Sequence, residues 1–377
     1  MSDYELSLPP TASGQVVKEP SQVVPKRGSL PGLLPAKARR RRLPPGQRLI
    51  VYAGLAWIVI LMQAASLNTD VPRAAGASCP PLAIRPAFHL ERELTALENT
   101  LKEESSLPRL RAGLFVVEPG SASYADLAAH DSYAAASMIK VPVMVALLSA
   151  IDAGHVNENQ MLTLRADLMA GGSGYLQWRP VDSRISLEEA SELMIINSDN
   201  TATNLIIDLL GGPAVLNSRF AAWGLHQTKI NNLLPDFEGT NRTSPYDLAV
   251  LLAAVDRGKL LSPDNRERML QIMTRTRTKT LLPPGLGVGA SIAHKTGDIG
   301  GMVGDAGIVT APRGLSYIVV AQVERPHNDR RANELIRTMS RTVYATLVPQ
   351  ATFAEHKKEA PHPSRISRHR RHHKRHQ

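Results

Sequence analysis

Ser137 and Lys140 have the types and spacing of an activated nucleophile, and they begin an apolar stretch of the chain. Residues three apart on a helix share a face, so the hydroxyl and the amine can approach each other. A serine hydroxyl needs a neighbouring base to attack a carbonyl near neutral pH. Apolar flanking residues favour the neutral amine, which can act as that base. The pattern alone is also compatible with a helix-capping serine beside a surface lysine.

A second polar cluster, Ser198-Asp199-Asn200, follows an apolar run and precedes another helical segment. A serine hydroxyl can relay a proton there, and an asparagine amide can hold a substrate carbonyl or amide group. We expect Asp199 to fix the loop. The same residue types also suit the N-cap of a helix starting at Thr201, so this alternative stays open.

A third motif, Lys295-Thr296-Gly297, ends an apolar strand. A lysine beside a hydroxyl can bind a carboxylate. Gly297 has no side chain, so a substrate backbone can lie against the strand edge at this position. The alternative is a strand that ends in an ordinary turn.

The elements that must position these motifs follow from hydrophobic periodicity. An amphipathic helix is predicted over residues 89–106 and a strand over 112–118. Further helices are predicted over 137–153, 186–196, 201–210, 245–256, 263–273 and 330–347, and further strands over 290–295, 302–310 and 315–323. This order predicts an α+β layer built from both ends of the domain, with an all-helical block inserted between them.

Residues 49–68 are apolar and uncharged, and about 20 such residues can cross a bilayer. The arginine-rich segment before them predicts a cytoplasmic amino terminus and a periplasmic or extracellular catalytic domain. A signal peptide cleaved near Ala75-Gly76-Ala77 is the closest alternative. The predicted divisions are therefore as follows: a disordered basic cytoplasmic tail over 1–48, a transmembrane signal anchor over 49–68, a linker over 69–88, a catalytic domain over 89–348 and a disordered His/Arg-rich tail over 349–377.

The net charge of +10 on 377 residues comes from the two tails rather than from the central domain. This distribution argues against nucleic acid as a partner. The predicted carboxyl-terminal tail could contact anionic surface polymers, a membrane surface or metal ions. The single cysteine, Cys79, excludes an intramolecular disulfide and a cysteine-based zinc site.

Taken together, Ser-x-x-Lys, Ser-Asp-Asn and Lys-Thr-Gly, in this order and at compatible separations, resemble the motif set of class A β-lactamases and penicillin-binding proteins. The resemblance spans about residues 89–348. It implies a β-lactamase/transpeptidase-like fold, in which an antiparallel sheet is flanked by helices and carries an inserted all-helical subdomain. Here one transmembrane helix would precede it. It implies no cofactor and no metal.

The resemblance also implies catalytic roles. Ser137 would attack an amide carbonyl and become acylated, Lys140 would help to deprotonate it, and Ser198 would pass a proton to the departing nitrogen. The backbone N–H groups of Ser137 and Asp298 would form the oxyanion hole.

Substrate binding is implied for a second set of residues. Asn200 would orient the acyl side chain, and Lys295 and Thr296, next to Gly297, would hold the substrate carboxylate. Class A enzymes also use a carboxylate-binding arginine. By position alone, the candidates here are Arg325, Arg330 and Arg331.

One departure from the family pattern concerns deacylation. Class A β-lactamases carry a glutamate in an Ω-loop, within Glu-x-x-Leu-Asn, that activates the deacylating water. The matching segment here, residues 229–245, contains no such motif, and its only carboxylates are Asp236 and Glu238. Each is a candidate deacylation acid or simply a surface-loop acid.

Three functions follow from these features. The first is hydrolysis of β-lactams through acylated Ser137, slowed by the missing glutamate. The second is a penicillin-interacting D,D-peptidase or amidase that acts on cell-wall peptides. The third is a non-catalytic wall-binding module, against which Lys140 argues because a binding module needs no base beside Ser137.

Overall fold

The structure, a computed structural model, describes residues 88–348. The predicted transmembrane helix over 49–68 and both predicted tails lie outside these residues. Across 88–348, no single helix combines the length and apolarity needed to cross a bilayer, although the bent pair Asn200–Leu209 and Pro213–Ala222 meets that test jointly.

The described residues form three sheets. The ten strands are β1 (Arg92–Glu93), β2 (Arg111–Glu118), β3 (Ser123–Leu127), β4 (Tyr133–Ala134), β5 (Met161–Thr163), β6 (Arg184–Ser186), β7 (Arg242–Thr243), β8 (Ser291–Asp298), β9 (Met302–Thr310) and β10 (Ser316–Glu324). The main sheet has the order β1-β3-β2-β10-β9-β8, while β4 pairs with β7 and β5 with β6. The amino-terminal strand β2 thus pairs with the carboxyl-terminal strand β10, as predicted for a layer built from both ends of the domain.

The sheet is mixed, so the prediction of a wholly antiparallel sheet is wrong at one edge. There β1 runs parallel to β3, with Arg92 opposite Ser123. The predicted helix over 89–106 consequently begins only at Thr95. Leucine spacing indicated an earlier start, but the backbone of Arg92 and Leu94 instead donates hydrogen bonds to the β3 edge. The charged, two-residue strand carries no alternation that could reveal it in the sequence.

Eight α-helices occur in the part of the chain that the structure describes. They are α1 (Thr95–Ser105), α2 (Lys140–Asp152), α3 (Leu187–Ile196), α4 (Asn200–Leu209), α5 (Pro213–Ala222), α6 (Pro245–Asp256), α7 (Pro263–Thr274) and α8 (Arg331–Leu347). The predictions missed α5, although Pro213 occupies its first turn, where proline is well tolerated.

Two hydrophobic cores hold the layers together. Alternate residues of β2 point to opposite faces, so Leu114 and Val116 pack with α1 and α8, whereas Phe115 and Val117 pack with the helices of the inserted block. The predicted α+β architecture with an inserted helical block is therefore confirmed. The motif residues lie where this block meets the edge strand β8.

Candidate active site

Ser137 lies in a short 3-10 turn, Ala136–Ile139, just before α2. The predicted helix over 137–153 therefore starts later in α-helical form, at Lys140. Pairing of β4 with β7 fixes the approach to this turn, and the Ala135 N–H donates to the Asn241 carbonyl at 2.7 Å. Ala136 adopts φ of +44°, an unfavourable value for a residue with a side chain. The turn presents Ser137, which is half-buried, beside the fully buried Lys140.

The Lys140 amine lies at the centre of a polar network. Its Nζ is 3.1 Å from Ser137 Oγ and 3.1 Å from Ser198 Oγ. It also lies 2.7 Å from the Ser198 carbonyl oxygen and 2.8 Å from Asn200 Oδ1. The structure thus brings together residues that are about sixty positions apart in the chain.

These partners determine how a neutral amine is oriented. The Ser198 carbonyl and Asn200 Oδ1 only accept hydrogen bonds, so they take the two N–H groups of a neutral amine. The lone pair is then left for a hydroxyl. Ser198 Oγ donates to Ser137 Oγ at 2.8 Å, so the Ser137 proton is free to point at Lys140 Nζ. This is the arrangement that a general base requires.

The surroundings of Lys140 favour the neutral amine. Burial lowers the pKa of Lys140 well below its ordinary value, and the positive charge of Lys295 lowers it further. The carboxylate of Asp199 opposes this shift. Lys140 therefore reaches its basic form at a lower pH than an exposed lysine does.

The loop between α3 and α4 both caps α4 and brings a serine hydroxyl to Ser137. Asp199 caps α4 by accepting from the Ala202 N–H, and its other oxygen accepts from the Tyr175 and Leu176 N–H groups. The expectation that Asp199 fixes the loop is confirmed. The left-handed conformation of Ser198, with φ of +56°, turns its hydroxyl towards Ser137 while Asp199 serves as the cap.

Asn200 is the first residue of α4 and connects two parts of the site. Its Oδ1 accepts from Lys140, and its Nδ2 donates to the Gly171 carbonyl at 2.9 Å. The amide group has a second N–H that can still bind a substrate carbonyl.

The edge strand β8 brings its motif against the nucleophile. A Cβ added to Gly297 would lie 3.0 Å from Ala136 Cβ and 3.2 Å from both the Ala135 carbonyl oxygen and the Met138 nitrogen. Any larger residue at position 297 would therefore push the strand away from the Ser137 turn. The sequence indicated a close approach by a substrate here, whereas the structure shows a close approach by the nucleophile turn.

Lys295 is buried one strand position before Thr296, and its Nζ donates to the Thr296 carbonyl at 2.8 Å. Burial lowers the pKa of Lys295 to about 8, while the carboxylate of Asp305 partly opposes this shift. Asp305 also lies 2.9 Å from Nδ1 of the buried His294. Neither Asp305 nor His294 belongs to a sequence motif, so neither was predicted to influence Lys295.

A groove of about 370 Å³ opens beside Ser198, Lys295 and Thr296. Its walls are formed by residues 173–175, 196–198, 276–278 and 295–296. The segment 276–278 belongs to none of the three sequence motifs. The Thr276 hydroxyl donates to the His294 carbonyl, and the Arg277 N–H donates to the Ile196 carbonyl, so this segment joins β8 to the end of α3. The alternating Thr and Arg residues after α7 are the feature of the sequence that could have indicated this polar segment.

Two of the three arginines considered by position pair with nearby carboxylates. The guanidinium of Arg325 contacts Asp298 Oδ1 at 2.5 Å, and that of Arg331 contacts Asp329 Oδ2 at 2.6 Å. Arg277, by contrast, is exposed and lines the groove next to Lys295. Arg325, Arg330 and Arg331 do not line this groove.

The loop over residues 229–245 holds the two candidate deacylation acids. Asp236 is buried and accepts hydrogen bonds from Thr240 Oγ1 and from the N–H groups of Thr240 and Asn241. Its carboxylate is thus engaged in closing the loop. Glu238 is exposed. Among residues 88–348, no group of three or more His, Cys, Asp and Glu side chains is arranged to hold a metal ion.

Asn204 attaches this loop to the site. Its Oδ1 accepts from the Leu234 N–H at 2.9 Å, and its Nδ2 donates to the Leu234 carbonyl at 2.7 Å. Asn204 lies one helical turn after Asn200, on the same face of α4. The backbone of Leu234 is therefore fixed close to the Lys140 network.

Comparisons with known proteins agree with this geometry. Residues 90–347 match the family model described as the β-lactamase enzyme family. A solved structure of PBP-A is 50% identical with a TM-score of 0.68, covering 69% of this chain and 98% of that one. A PBP-A mutant, solved as an acyl-enzyme complex with penicillin G, is 49% identical with a TM-score of 0.67. The match covers 70% of this chain and 98% of that one. A β-lactamase of Streptomyces fradiae is 27% identical over 309 residues, which are 78% of this chain and 93% of that protein.

Proposed function

The chain belongs to the β-lactamase enzyme family of serine hydrolases, and we propose that β-lactams acylate it at Ser137 and that the resulting ester is hydrolysed slowly. The observation that carries this proposal is the Lys140 network, in which one buried amine lies within 3.1 Å of both serine hydroxyls. The side chains proposed for acylation lie together, whereas neither loop carboxylate is proposed to activate the deacylating water.

Acylation proceeds in two steps under this proposal. As Ser137 Oγ attacks the carbonyl carbon, its proton passes to Lys140 Nζ, and the backbone N–H groups of Ser137 and Asp298 stabilise the developing oxyanion. Collapse of the tetrahedral intermediate then breaks the C–N bond. Ser198 donates its proton to the departing nitrogen and regains one from Lys140, which lies 3.1 Å from Ser198 Oγ. Lys140 thus ends neutral, as it began.

Release of the acyl group needs a water molecule and a second base. Asp236 is occupied by three hydrogen bonds inside its own loop, and Glu238 is exposed with its side chain in solvent. We therefore assign rapid deacylation to neither residue. This is the physical reason for a long-lived penicillin adduct.

A cell-wall peptide is the second candidate substrate. Two observations favour it. Asp236 is bonded within its own loop while Glu238 is exposed, and the identity to PBP-A is 50%, compared with 27% to the Streptomyces fradiae β-lactamase. A D,D-peptidase releases the terminal D-alanine of its substrate when its serine is acylated. It would use the same acylating residues. The carboxylate of its substrate would be held by Lys295, Thr296 and the exposed Arg277 at the groove.

Intact-protein mass spectrometry tests the proposed acylation directly. Full-length chain, purified in detergent because of the predicted anchor, is mixed with benzylpenicillin. The expected result is a single adduct with the whole mass of the antibiotic, since opening the ring keeps the leaving nitrogen attached. Peptide mapping should place it on Ser137. A wild-type chain that gains no mass, or that is modified elsewhere, contradicts the proposal.

Decay of that adduct tests the proposed slow hydrolysis, and release of D-alanine separates the two candidate substrates. Turnover of benzylpenicillin faster than about one per second, typical of an efficient enzyme, contradicts slow hydrolysis. A persistent adduct, together with release of D-alanine from a peptide ending in D-alanyl-D-alanine, supports the wall-peptide substrate. A persistent adduct without D-alanine release contradicts it.

The pH dependence of acylation should be bell-shaped. As pH rises, Lys140 loses its proton and becomes a base, so the second-order rate constant increases. Above about 8, the pKa of Lys295, this residue loses its charge and attracts the penicillin carboxylate less strongly, so the rate constant falls. The measurement is the rate constant of adduct formation across pH. Benzylpenicillin methyl ester, which lacks the carboxylate, is the control and should show no falling limb; a falling limb of equal size with the ester contradicts the assignment to Lys295.

We also propose that the chain is anchored by the predicted helix over 49–68, with its catalytic domain in the periplasm or outside the cell. Wall substrates are found on that side. The predicted basic tail over 349–377 would contact anionic surface polymers there. These proposals rest on the charge and hydropathy of the sequence.

A further inference from the structure

Arg325 is a buried cation at the end of β10 that binds the turn after the Lys-Thr-Gly motif. Its Nε donates to the Gly300 carbonyl at 2.8 Å, and its Nη2 donates to Asp298 Oδ1 at 2.5 Å. Its Nη1 donates to Asn333 Oδ1 at 2.7 Å. The Arg325 backbone N–H also donates to the Gly301 carbonyl. One residue therefore holds both ends of the turn between β8 and β9.

The burial of this guanidinium is unusual for an ion pair. Only 2% of the Arg325 side chain is exposed, whereas 51% of the Asp298 side chain is exposed. A buried cation loses its hydration and is retained where its partners are well placed. Because Asp298 is still half solvated, the pair is a poor means of stabilising the fold by charge alone. Its geometry instead fixes the conformation of residues 298–301.

That conformation matters because the turn adjoins the nucleophile. Gly297 is in close contact with the backbone of the Ser137 turn, and Asp298 is the next residue. The Asp298 carboxylate is further tied by the Gly300 N–H at 3.0 Å. A donor in an oxyanion hole is effective only when it is held at the position of the developing charge. The backbone N–H of Asp298 is the donor that the proposed acylation requires here.

We propose that Arg325 is a positioning residue for acylation, which through the Asp298 carboxylate and the Gly300 carbonyl holds the Asp298 backbone N–H in the oxyanion hole. The inference rests on the proposed function, since it concerns the rate of acylation at Ser137. Arg325 itself touches no substrate: its guanidinium is directed to the turn and to Asn333. Its loss should therefore slow the chemical step and leave non-covalent binding intact.

The main variant is Arg325→Gln, studied in the full-length chain with benzylpenicillin. We expect the first-order acylation constant to fall by about tenfold to hundredfold, because displacement or loss of one oxyanion donor has effects of that order. The dissociation constant of the non-covalent complex should change by less than about threefold, because Arg325 makes no contact with the bound penicillin. Rapid-quench mass spectrometry at several penicillin concentrations gives both constants separately.

Asp298→Ala tests whether the effect passes through the Asp298 carboxylate. This change keeps the backbone N–H but removes the oxygen that accepts from both Arg325 and Gly300, so it should lower the acylation constant in the same way. The double variant should be no slower than the slower single variant, because both changes break one interaction. Fully additive effects of the two changes would overturn the proposal.

Arg266→Gln is the matched control. Arg266 of α7 pairs with Asp256 Oδ1 and donates to the Asp256 carbonyl at the end of α6, and these two helices carry none of the residues of the proposed site. It should leave both constants unchanged. If Arg325→Gln does not fold, as judged by its melting curve, Arg325→Lys and Asp298→Ala decide the question. The ammonium of Arg325→Lys keeps the charge but cannot reach all the acceptors, so this variant should be intermediate between glutamine and wild type.

The outcomes are distinguishable. A wild-type chain that forms no adduct overturns the proposed function and this inference together. A wild-type chain that is acylated, with an acylation constant in the folded Arg325 variants within about twofold of it, overturns the inference alone. A loss confined to the dissociation constant also overturns it, because a positioning residue acts on the chemical step.

Discussion

Replacing Lys140 by alanine should slow acylation of Ser137 by benzylpenicillin about a thousandfold, within the range expected when a general base is removed. The amine is the only group that lies within 3.1 Å of both serine hydroxyls among the contacts of the described residues. Its burial lowers the pKa, so the neutral form is available at a lower pH than for an exposed lysine. The measurement is the first-order rate constant of adduct formation by mass spectrometry, with Ser137→Ala as the variant that should form no adduct.

Lys140→Arg distinguishes a base from a positive charge. A guanidinium keeps the charge but cannot be deprotonated in a protein. If Lys140 acts as the base, the arginine variant should be acylated as slowly as the alanine variant. If the amine served only to attract the substrate carboxylate, the arginine variant would retain most of the rate. A loss of less than about tenfold in Lys140→Ala, with folding confirmed by its melting curve, would argue against a base at this position.

Replacing Leu234 by glutamate should shorten the lifetime of the penicillin adduct by about a hundredfold or more, since a general base contributes at least that factor. Asn204 holds the Leu234 backbone from both sides, one turn of α4 away from Asn200 and thus close to the Lys140 network. Leu234 is buried, yet within residues 88–348 it belongs to neither hydrophobic core. A carboxylate there would be close to the ester and partly desolvated. Desolvation raises its pKa towards neutrality, which suits a base that activates water.

Leu234→Gln is the control for the glutamate variant, because it has the same shape and lacks the carboxylate. Its adduct should decay as slowly as that of the wild type. Equal lifetimes of the glutamate and glutamine adducts would show that position 234 does not reach the deacylating water. In the wild-type background, Glu238→Gln should leave the lifetime unchanged, because the exposed Glu238 is assigned no part in deacylation.

Much of the architecture is encoded locally. Strand β9 was predicted over the residues that form it, 302–310, and α6 over 245–256. These elements combine a long apolar run with a clear start, such as the capping Ser244 before α6. The strand β1 could not be found in this way, since its two exposed charged residues pair only because β3 offers a free edge.

The candidate site, like the fold, has features that the sequence shows and features that only the tertiary structure shows. The sequence determined which residue types are present and in which order: a serine with a lysine three positions later, a Ser-Asp-Asn turn and a Lys-Thr-Gly strand end. Only the tertiary structure decided that Lys140 is buried between Ser137, Ser198 and Asn200, that Asp236 is used to close its own loop, and that Arg277 lines the groove.

The sequence alone cannot decide these points, because the chemistry at this site depends on distances between side chains and on their burial. Lys140 and Asn200 are 60 residues apart in the chain, and their contact exists because α2 packs against α4 within the inserted helical block. That packing removes water from Lys140 and so makes it a base. Local sequence supplies Ser137 as a nucleophile by type, whereas the packing of distant elements supplies the environment in which it can react.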